Sequence, residues 1–229
     1  MGDIYSRTEL LIGKDSVSKL KGSKVFIAGL GGVGGYVAEA LARAGVGTLG
    51  LCDFDTVDET NINRQVIALD STVGRLKTDV FRERILDINK DCKAELYSFK
   101  IDENNAYELM EKGWDVLADA IDDIPAKIAL LSAARGLGTE CISSMGTGNK
   151  LDPFSYKIVP VEKTDTCPLA KRMRKALKDA GVEGVYTLYS TEKPVVQSVS
   201  RDGMPSISYM PAVAGLEIAS WIIRRIIEK

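Results

Sequence analysis

An α/β fold built on a mostly parallel sheet with helices on both faces is predicted by three observations. Short apolar runs alternate with helix-length amphipathic stretches, the first run leads directly into a glycine-rich turn, and the second ends in an aspartate. Strands separated by helix-length segments cannot pair through tight turns, so they are expected to lie parallel with the helices as crossovers.

The first run, Lys24 to Ala28, reads as a strand, and Val33 to Ala44 reads as the helix after it. Thr48 to Cys52 is the second strand, closed by Asp53. A helix near Lys77 to Asn89, a strand at Ala94 to Phe99 and a helix at Asn104 to Lys112 come next. The pair repeats as Asp115 to Ala120 with Pro125 to Leu137, and Glu140 to Ser144 adds a further strand. After Gly148 the regularity weakens, with strand-like Tyr156 to Val161, a helix at Pro168 to Ala180, and strand-like Val185 to Tyr189 and Ser206 to Tyr209. Pro211 to Glu228 is apolar nearly all round, which predicts a helix buried against the sheet or a partner chain. We expect one domain over 1–229, comprising an N-terminal helical segment (1–22), a Rossmann-like core (23–150) and a C-terminal accessory segment (151–229).

The composition excludes several function classes. With 45% hydrophobic and 27% charged residues among 229, the chain has the balance of a soluble globular protein. Thirty Lys and Arg against 32 Asp and Glu leave a net charge of −2, so any polyanion site must be a local patch. Met1 to Leu11 lacks an apolar signal core and no run is long enough to span a bilayer, so a cytoplasmic location without membrane attachment is expected. Histidine is absent and the four cysteines, Cys52, Cys92, Cys141 and Cys167, are far apart with no Cys-x-x-Cys pair. A structural zinc, a histidine general base and a Ser-His-Asp triad are thereby ruled out, and reduced thiols are expected.

Gly29-Leu30-Gly31-Gly32-Val33-Gly34 satisfies G-x-G-x-x-G between a strand and a helix, the context that lets backbone approach phosphate. The helix start directs unpaired N–H groups at an anion, and Asp53, 19 residues after Gly34, can hold ribose hydroxyls. Tight helix-to-strand packing is the alternative use of those glycines. The motif by itself does not separate ATP from NAD. The next stretch of chain makes that distinction, because Asp55, Asn61, Arg64 and Gln65, then Lys77 13 residues after Arg64, place cations beyond Asp53. A triphosphate under attack needs such cations, whereas a dinucleotide needs little beyond the loop. Taken singly, Arg64 and Lys77 read as solvated charges, and Asp122 before Pro125 reads equally as a helix N-cap. Their joint spacing favours the nucleotide.

These motifs, with Asp-x-Asp-x-Val, Asn-x-x-Arg-Gln and Asp119-Ala-Ile-Asp122-Asp123, resemble the ubiquitin-activating-enzyme-like superfamily over nearly the whole chain. The resemblance implies ATP-dependent adenylation of a carboxylate, with Asp53, Asn61, Arg64, Gln65 and Lys77 around ribose and phosphates and Asp122 binding or positioning Mg2+. It also implies a homodimer in which Arg7 reaches the neighbouring subunit's site. Carboxylate attack needs no base, so the missing histidine is no obstacle.

Lys171, Arg174, Lys175 and Lys178 share one face of the Pro168 to Ala180 helix, while Leu169, Met173, Ala176 and Leu177 share another. The basic face is a polyanion patch or an ordinary solvated surface. This helix, the turn over Gly146 to Pro153 and the closing segment resemble a branch of the superfamily that acts on threonylcarbamoyladenosine in tRNA. There, ring closure within the activated base would replace an enzymic nucleophile. Cys167, just before the helix, is the candidate thiol for relatives that relay an acyl group, though a structural or incidental cysteine is the simpler reading. Three other functions remain to be weighed: adenylation of a small ubiquitin-like or sulfur-carrier protein, an NAD-linked oxidoreductase, and a non-catalytic nucleotide-gated protein.

Overall fold

A computed structural model of the chain describes residues 4–197 and 203–228. Its strands are β1 (Lys24–Ala28), β2 (Thr48–Cys52), β3 (Lys93–Tyr97), β4 (Val116–Asp119), β5 (Glu140–Ser144), β6 (Tyr156–Pro160) and β7 (Val185–Ser190). They form a sheet in the order β3-β2-β1-β4-β5-β7-β6, parallel except at the edge, where β6 runs antiparallel to β7. Both strands of the expected accessory segment thus extend the same sheet as the core. In β1, Val25 and Ile27 enter one hydrophobic cluster and Phe26 and Ala28 the other. Burial on both faces is why these strands read as continuous apolar runs.

The helices are α1 (Ser6–Ile12), α2 (Lys14–Gly22), α3 (Gly34–Ala44), α4 (Lys77–Ile88), α5 (Ala106–Met110), α6 (Ile124–Gly136), α7 (Pro168–Asp179) and α8 (Tyr209–Glu228). One face of the sheet carries α3, α4 and α8, and the other carries α5, α6 and α7. Of the expected N-terminal helical segment, residues 1–3 lie outside the described residues; the rest is two helices broken at Gly13, whose φ is +82°.

Four expected elements differ by more than one residue at an end or in how they pack. β3 starts and ends earlier than Ala94 to Phe99. The helix expected over Asn104 to Lys112 shortens to α5, because Asp102 Oδ1 accepts from the N–H groups of Asn104 and Asn105 and holds the chain in a turn up to Ala106. The strand expected over Ser206 to Tyr209 is not formed: Ser206 is irregular and Tyr209 opens α8. Pro211 suits that first turn, where a missing N–H costs nothing. Finally, α8 buries one stripe rather than its whole circumference, including Pro211, Ala214, Gly215, Ile218, Ile222 and Ile226. The stripe seats on α3 and α2 of the same chain. Full burial of Ile218 and Ile222 contributes roughly 2 kcal/mol each.

The chain runs from β1 outward through β2 to β3, whereas β4 lies on the other side of β1 and leads to β5. At such a reversal, a crevice opens beyond the carboxyl ends of the two central strands, which is where open α/β sheets bind ligands.

Candidate active site

Backbone geometry explains the glycine loop. Gly29 has a φ of +84°, and a Cβ there would lie 2.7 Å from the Ala120 carbonyl oxygen. A Cβ at Gly34 would lie 1.8 Å from the Gly29 oxygen. These two glycines let the turn after β4 and the start of α3 close on the loop. At Gly31 the nearest atom to such a Cβ is Gln65 Nε2 at 3.8 Å, so this glycine leaves room on the cavity side. No side chain caps the start of α3; the N–H groups of Gly35, Tyr36 and Val37 donate to the Gly31 and Val33 carbonyls, which leaves the Gly32 and Val33 N–H groups, without a partner among the described residues, for an anion.

A cavity of about 940 Å³ lies over the crevice. Gly29, Gly31, Gly32 and Val33 line it from the loop; Gly34 does not, being buried in the first turn of α3. Asp53, Asp55, Asn61, Arg64, Gln65 and Lys77 line it from beyond β2, and Asp122 from beyond β4. Apart from Gly34 and Arg7, the residues expected around the nucleotide therefore border one space. Gly146, Thr147 and Gly148 also border it, and a Cβ at Gly148 would meet Met204 Cγ at 2.4 Å and the Pro205 carbonyl oxygen at 3.1 Å.

Each polar group has a defined setting. Asp53 Oδ2 accepts from the Leu30 N–H at 2.7 Å and Oδ1 from the Asp55 N–H at 2.9 Å, tying the glycine loop to the end of β2. Each oxygen retains a second acceptor position. Lys77, only 5% exposed, begins α4 with its ammonium 2.9 Å from Asp55 Oδ2 and 3.8 Å from Asp53 Oδ2. The carboxylates offset the cost of burying that charge. Arg64 donates to the Thr60 carbonyl and to Asn63 Oδ1, both at 2.8 Å, which holds its guanidinium on its own loop. Asn61 completes a capping box with Asp58 around the 3-10 turn Glu59–Asn61. Gln65 is 8% exposed, and its buried Oε1 has no hydrogen-bond partner among the described residues.

The N-cap alternative for Asp122 is corrected by one residue. Asp123 caps α6, its Oδ1 accepting from the Ala126 N–H at 3.1 Å, and it also pairs with Lys100. Asp122 is exposed and faces the cavity.

The match to known proteins runs along the whole chain: residues 5–229 match the ThiF family. The chain belongs to the ThiF family. A tRNA threonylcarbamoyladenosine dehydratase of Bacillus subtilis is 39% identical, over 96% of this chain and 92% of that protein. The crystal structure of Escherichia coli tRNA N6-threonylcarbamoyladenosine dehydratase in complex with ATP superposes with a TM-score of 0.91 at 31% identity, covering 98% of this chain and 93% of that one. Similarity to the adenylyltransferase and sulfurtransferase UBA4 of Vanderwaltozyma polyspora is 38%, confined to 58% of this chain and 30% of that protein. These matches support an ATP-dependent adenylating enzyme and leave the oxidoreductase reading without support.

Other residues singled out in this ThiF-family chain lie outside the cavity. Arg7 is exposed on α1 and does not line the cavity of this chain. On α7, Lys171, Lys175 and Lys178 are exposed as expected of a patch, but Arg174 is not free: its guanidinium donates to the Thr164 carbonyl and to Thr164 Oγ1 at 2.8 Å. Leu169 of the same helix borders the cavity. Cys167 is partly exposed at the N-cap of α7, while burial pushes Cys52 and Cys141 up to about 12 and Cys92 to about 11.

Sequence reasoning passed over Lys127. It is fully buried, 2.9 Å from Asp119 Oδ2, and also donates to the carbonyls of Ile121 at 2.8 Å and Ser144 at 3.0 Å. A lysine in the second turn of a helix carries no mark of burial in the sequence; the nearest signal was its place eight residues after Asp119.

Proposed function

We propose that the chain uses ATP to activate the threonyl carboxylate of threonylcarbamoyladenosine in tRNA and releases the cyclic, dehydrated base. The observation that carries this reading is the convergence of the glycine loop, Arg64 and Lys77 on one cavity, in a chain that matches the dehydratases almost end to end. A carboxylate oxygen attacks the α-phosphorus, the bond to the β-phosphate oxygen breaks and pyrophosphate leaves. Charge accumulates on the phosphate oxygens, where the Lys77 ammonium, the Arg64 guanidinium and the loop N–H groups of Gly32 and Val33 stabilise it. A protonated nucleophilic atom of the same modified base then attacks the acyl carbon, gives up its proton to solvent and expels AMP, which carries away the carboxylate oxygen; that closure is a net dehydration. Because it is intramolecular, high effective concentration replaces an enzymic nucleophile, and Cys167 is not needed.

Mg2+ fits the site in a limited way. Among the described residues, no three His, Cys, Asp or Glu side chains cluster as a metal site, but Asp122 offers one exposed carboxylate beside the cavity. Mg2+ is commonly held by one or two carboxylates plus substrate phosphates and waters, and would neutralise charge on the triphosphate. Asp122 is our candidate ligand.

The working unit in this reading is a homodimer. α1 buries no residue within its own subunit and exposes Leu10 and Leu11 at 88% and 84%, a surface that a second copy would cover. Arg7 sits on that helix and would reach across. Lys171, Lys175 and Lys178, on the helix whose Leu169 borders the cavity, form the basic surface for tRNA. A cytoplasmic location accords with that substrate, and no described helix is long and apolar enough to cross a membrane.

AMP release from ATP should require tRNA carrying threonylcarbamoyladenosine and be absent with the same tRNA lacking the modification. The shared adenylation segment with UBA4 favours one second reading, activation of a sulfur-carrier or ubiquitin-like protein at its C-terminal carboxylate. If pyrophosphate exchange appears only with such a carrier, the tRNA assignment is wrong.

A further inference from the structure

Asp119, Lys127 and Ser143 form a buried polar cluster behind the catalytic surface. Asp119 is 1% exposed and the other two are fully buried. Asp119 Oδ2 accepts from Ser143 Oγ at 2.6 Å and from the Lys127 ammonium at 2.9 Å, while Oδ1 accepts from the Ile121 N–H at 3.3 Å. Lys127 spends its remaining donors on the carbonyls of Ile121 and Ser144, so all three N–H bonds of the ammonium have acceptors. The carboxyl ends of β4 and β5 and the turn between β4 and α6 are thereby joined at one charged atom.

A buried ion pair contributes little stability relative to well-packed apolar side chains of the same volume, so its presence points to a need for defined geometry. What it defines is the turn Ala120–Asp123. On the opposite side this turn lies against the glycine loop: the Ala120 N–H donates to the Ala28 carbonyl at 2.8 Å, and the Ala120 oxygen fills the space of the missing Gly29 side chain. Asp123 pins its far end as the α6 cap. Asp122 is thus the exposed residue of a turn whose neighbours are fixed on both sides.

We propose that Lys127, with Asp119 and Ser143, is a positioning residue that fixes the Ile121–Asp122 backbone so that the Asp122 carboxylate meets a cation carried on the nucleotide phosphates. This rests on the assignment of Asp122 as the metal carboxylate. Lys127 touches neither nucleotide nor metal. Loss of the cluster leaves the glycine loop, Arg64 and Lys77 in place but lets the turn wander, so cation-dependent binding weakens more than nucleotide binding without the cation.

The test is a titration of full-length protein with ATP at graded Mg2+, read by calorimetry, for the wild type, Asp122→Asn, Ser143→Ala and the charge-neutral pair Lys127→Met/Asp119→Asn. The double variant avoids leaving one buried charge unpaired. Ser143→Ala removes a single hydroxyl and keeps the question open to refutation if the double variant does not fold. Expected is an increase of about tenfold in the Mg2+ midpoint for the double variant and a smaller one for Ser143→Ala, with ATP affinity in EDTA unchanged. Hydrogen exchange should also quicken at residues 120–123 while the glycine loop keeps its protection. If Asp122→Asn raises the midpoint but neither cluster variant does, the positioning role is refuted and the site assignment stands. If Asp122→Asn leaves the midpoint unchanged, the metal assignment itself fails.

Discussion

The ammonium of Lys77 lies 2.9 Å from Asp55 Oδ2 and 3.8 Å from Asp53 Oδ2, so the cation proposed to meet a triphosphate is held between two carboxylates. Only Asp55 of the two is substantially exposed, at 50% for its side chain. Phosphate oxygens entering the cavity would compete with Asp55 for the ammonium, while Asp53 remains bonded to the loop. Lys77→Ala is expected to cut substrate-dependent AMP formation on the order of 100-fold or more, with the fold retained by circular dichroism. Near-normal turnover would remove Lys77 from the mechanism.

The loop glycines should separate into two classes. Gly34→Ala forces a Cβ to within 1.8 Å of the Gly29 oxygen and is expected to lower stability by about 3 kcal/mol, measured by urea unfolding. Gly31→Ala meets only an ordinary contact, so its unfolding midpoint should stay near wild type while ATP affinity drops. Equal destabilisation by both would contradict the division between packing and ligand approach.

Arg7 can be tested by complementation. Arg7→Ala and Lys77→Ala proteins, each deficient alone, should regain part of the wild-type AMP release when mixed and allowed to exchange subunits. One intact site per heterodimer gives that gain only if Arg7 acts across subunits. No gain from verified heterodimers would confine Arg7 to its own chain.

For tRNA, the informative variant replaces Lys171, Lys175 and Lys178 with Ala and spares Arg174, which braces Thr164. The slope of log affinity against log salt should fall by about one for each phosphate contact removed, about three in all. An unchanged slope places the tRNA elsewhere.

Thiol chemistry gives a further check. Cys52, Cys92 and Cys141 are buried with raised pKa values, so brief alkylation of native protein at pH 8 should label Cys167 alone, as read by peptide mass spectrometry. Cys167→Ser should keep full activity; a large loss would restore the acyl-relay reading.

The sequence made the core and the glycine loop legible for specific reasons. Strands buried on both faces, such as Lys24–Ala28 and Thr48–Cys52, leave uninterrupted apolar runs, and the glycine spacing records contacts that no side chain fits. The placement of β7 between β5 and β6 was not legible, because it depends on pairings distant along the chain. Ser206 to Tyr209 has strand-like alternation, yet helix formation beyond Tyr209 and the packing of α8 override it. The roles of Asp122 and Asp123 differ by one residue of register, which spacing does not resolve. Lys127 is hidden by its type, since a lysine on a helix normally signals solvent.

The seat of α8 carries a consequence for how the protein is made. A Cβ at Gly215 would lie 2.4 Å from the Val33 oxygen, and one at Gly32 would lie 3.0 Å from Pro211, so α8 is fitted against the very turn proposed to receive the nucleotide. During synthesis, the ribosome must release residues beyond 209 before that turn has its backing, and until then α3 shows the growing chain's surroundings an oily flank. Competence to bind ATP should therefore await the emergence of α8, and a nascent chain stalled before it would call on chaperones rather than engage the nucleotide.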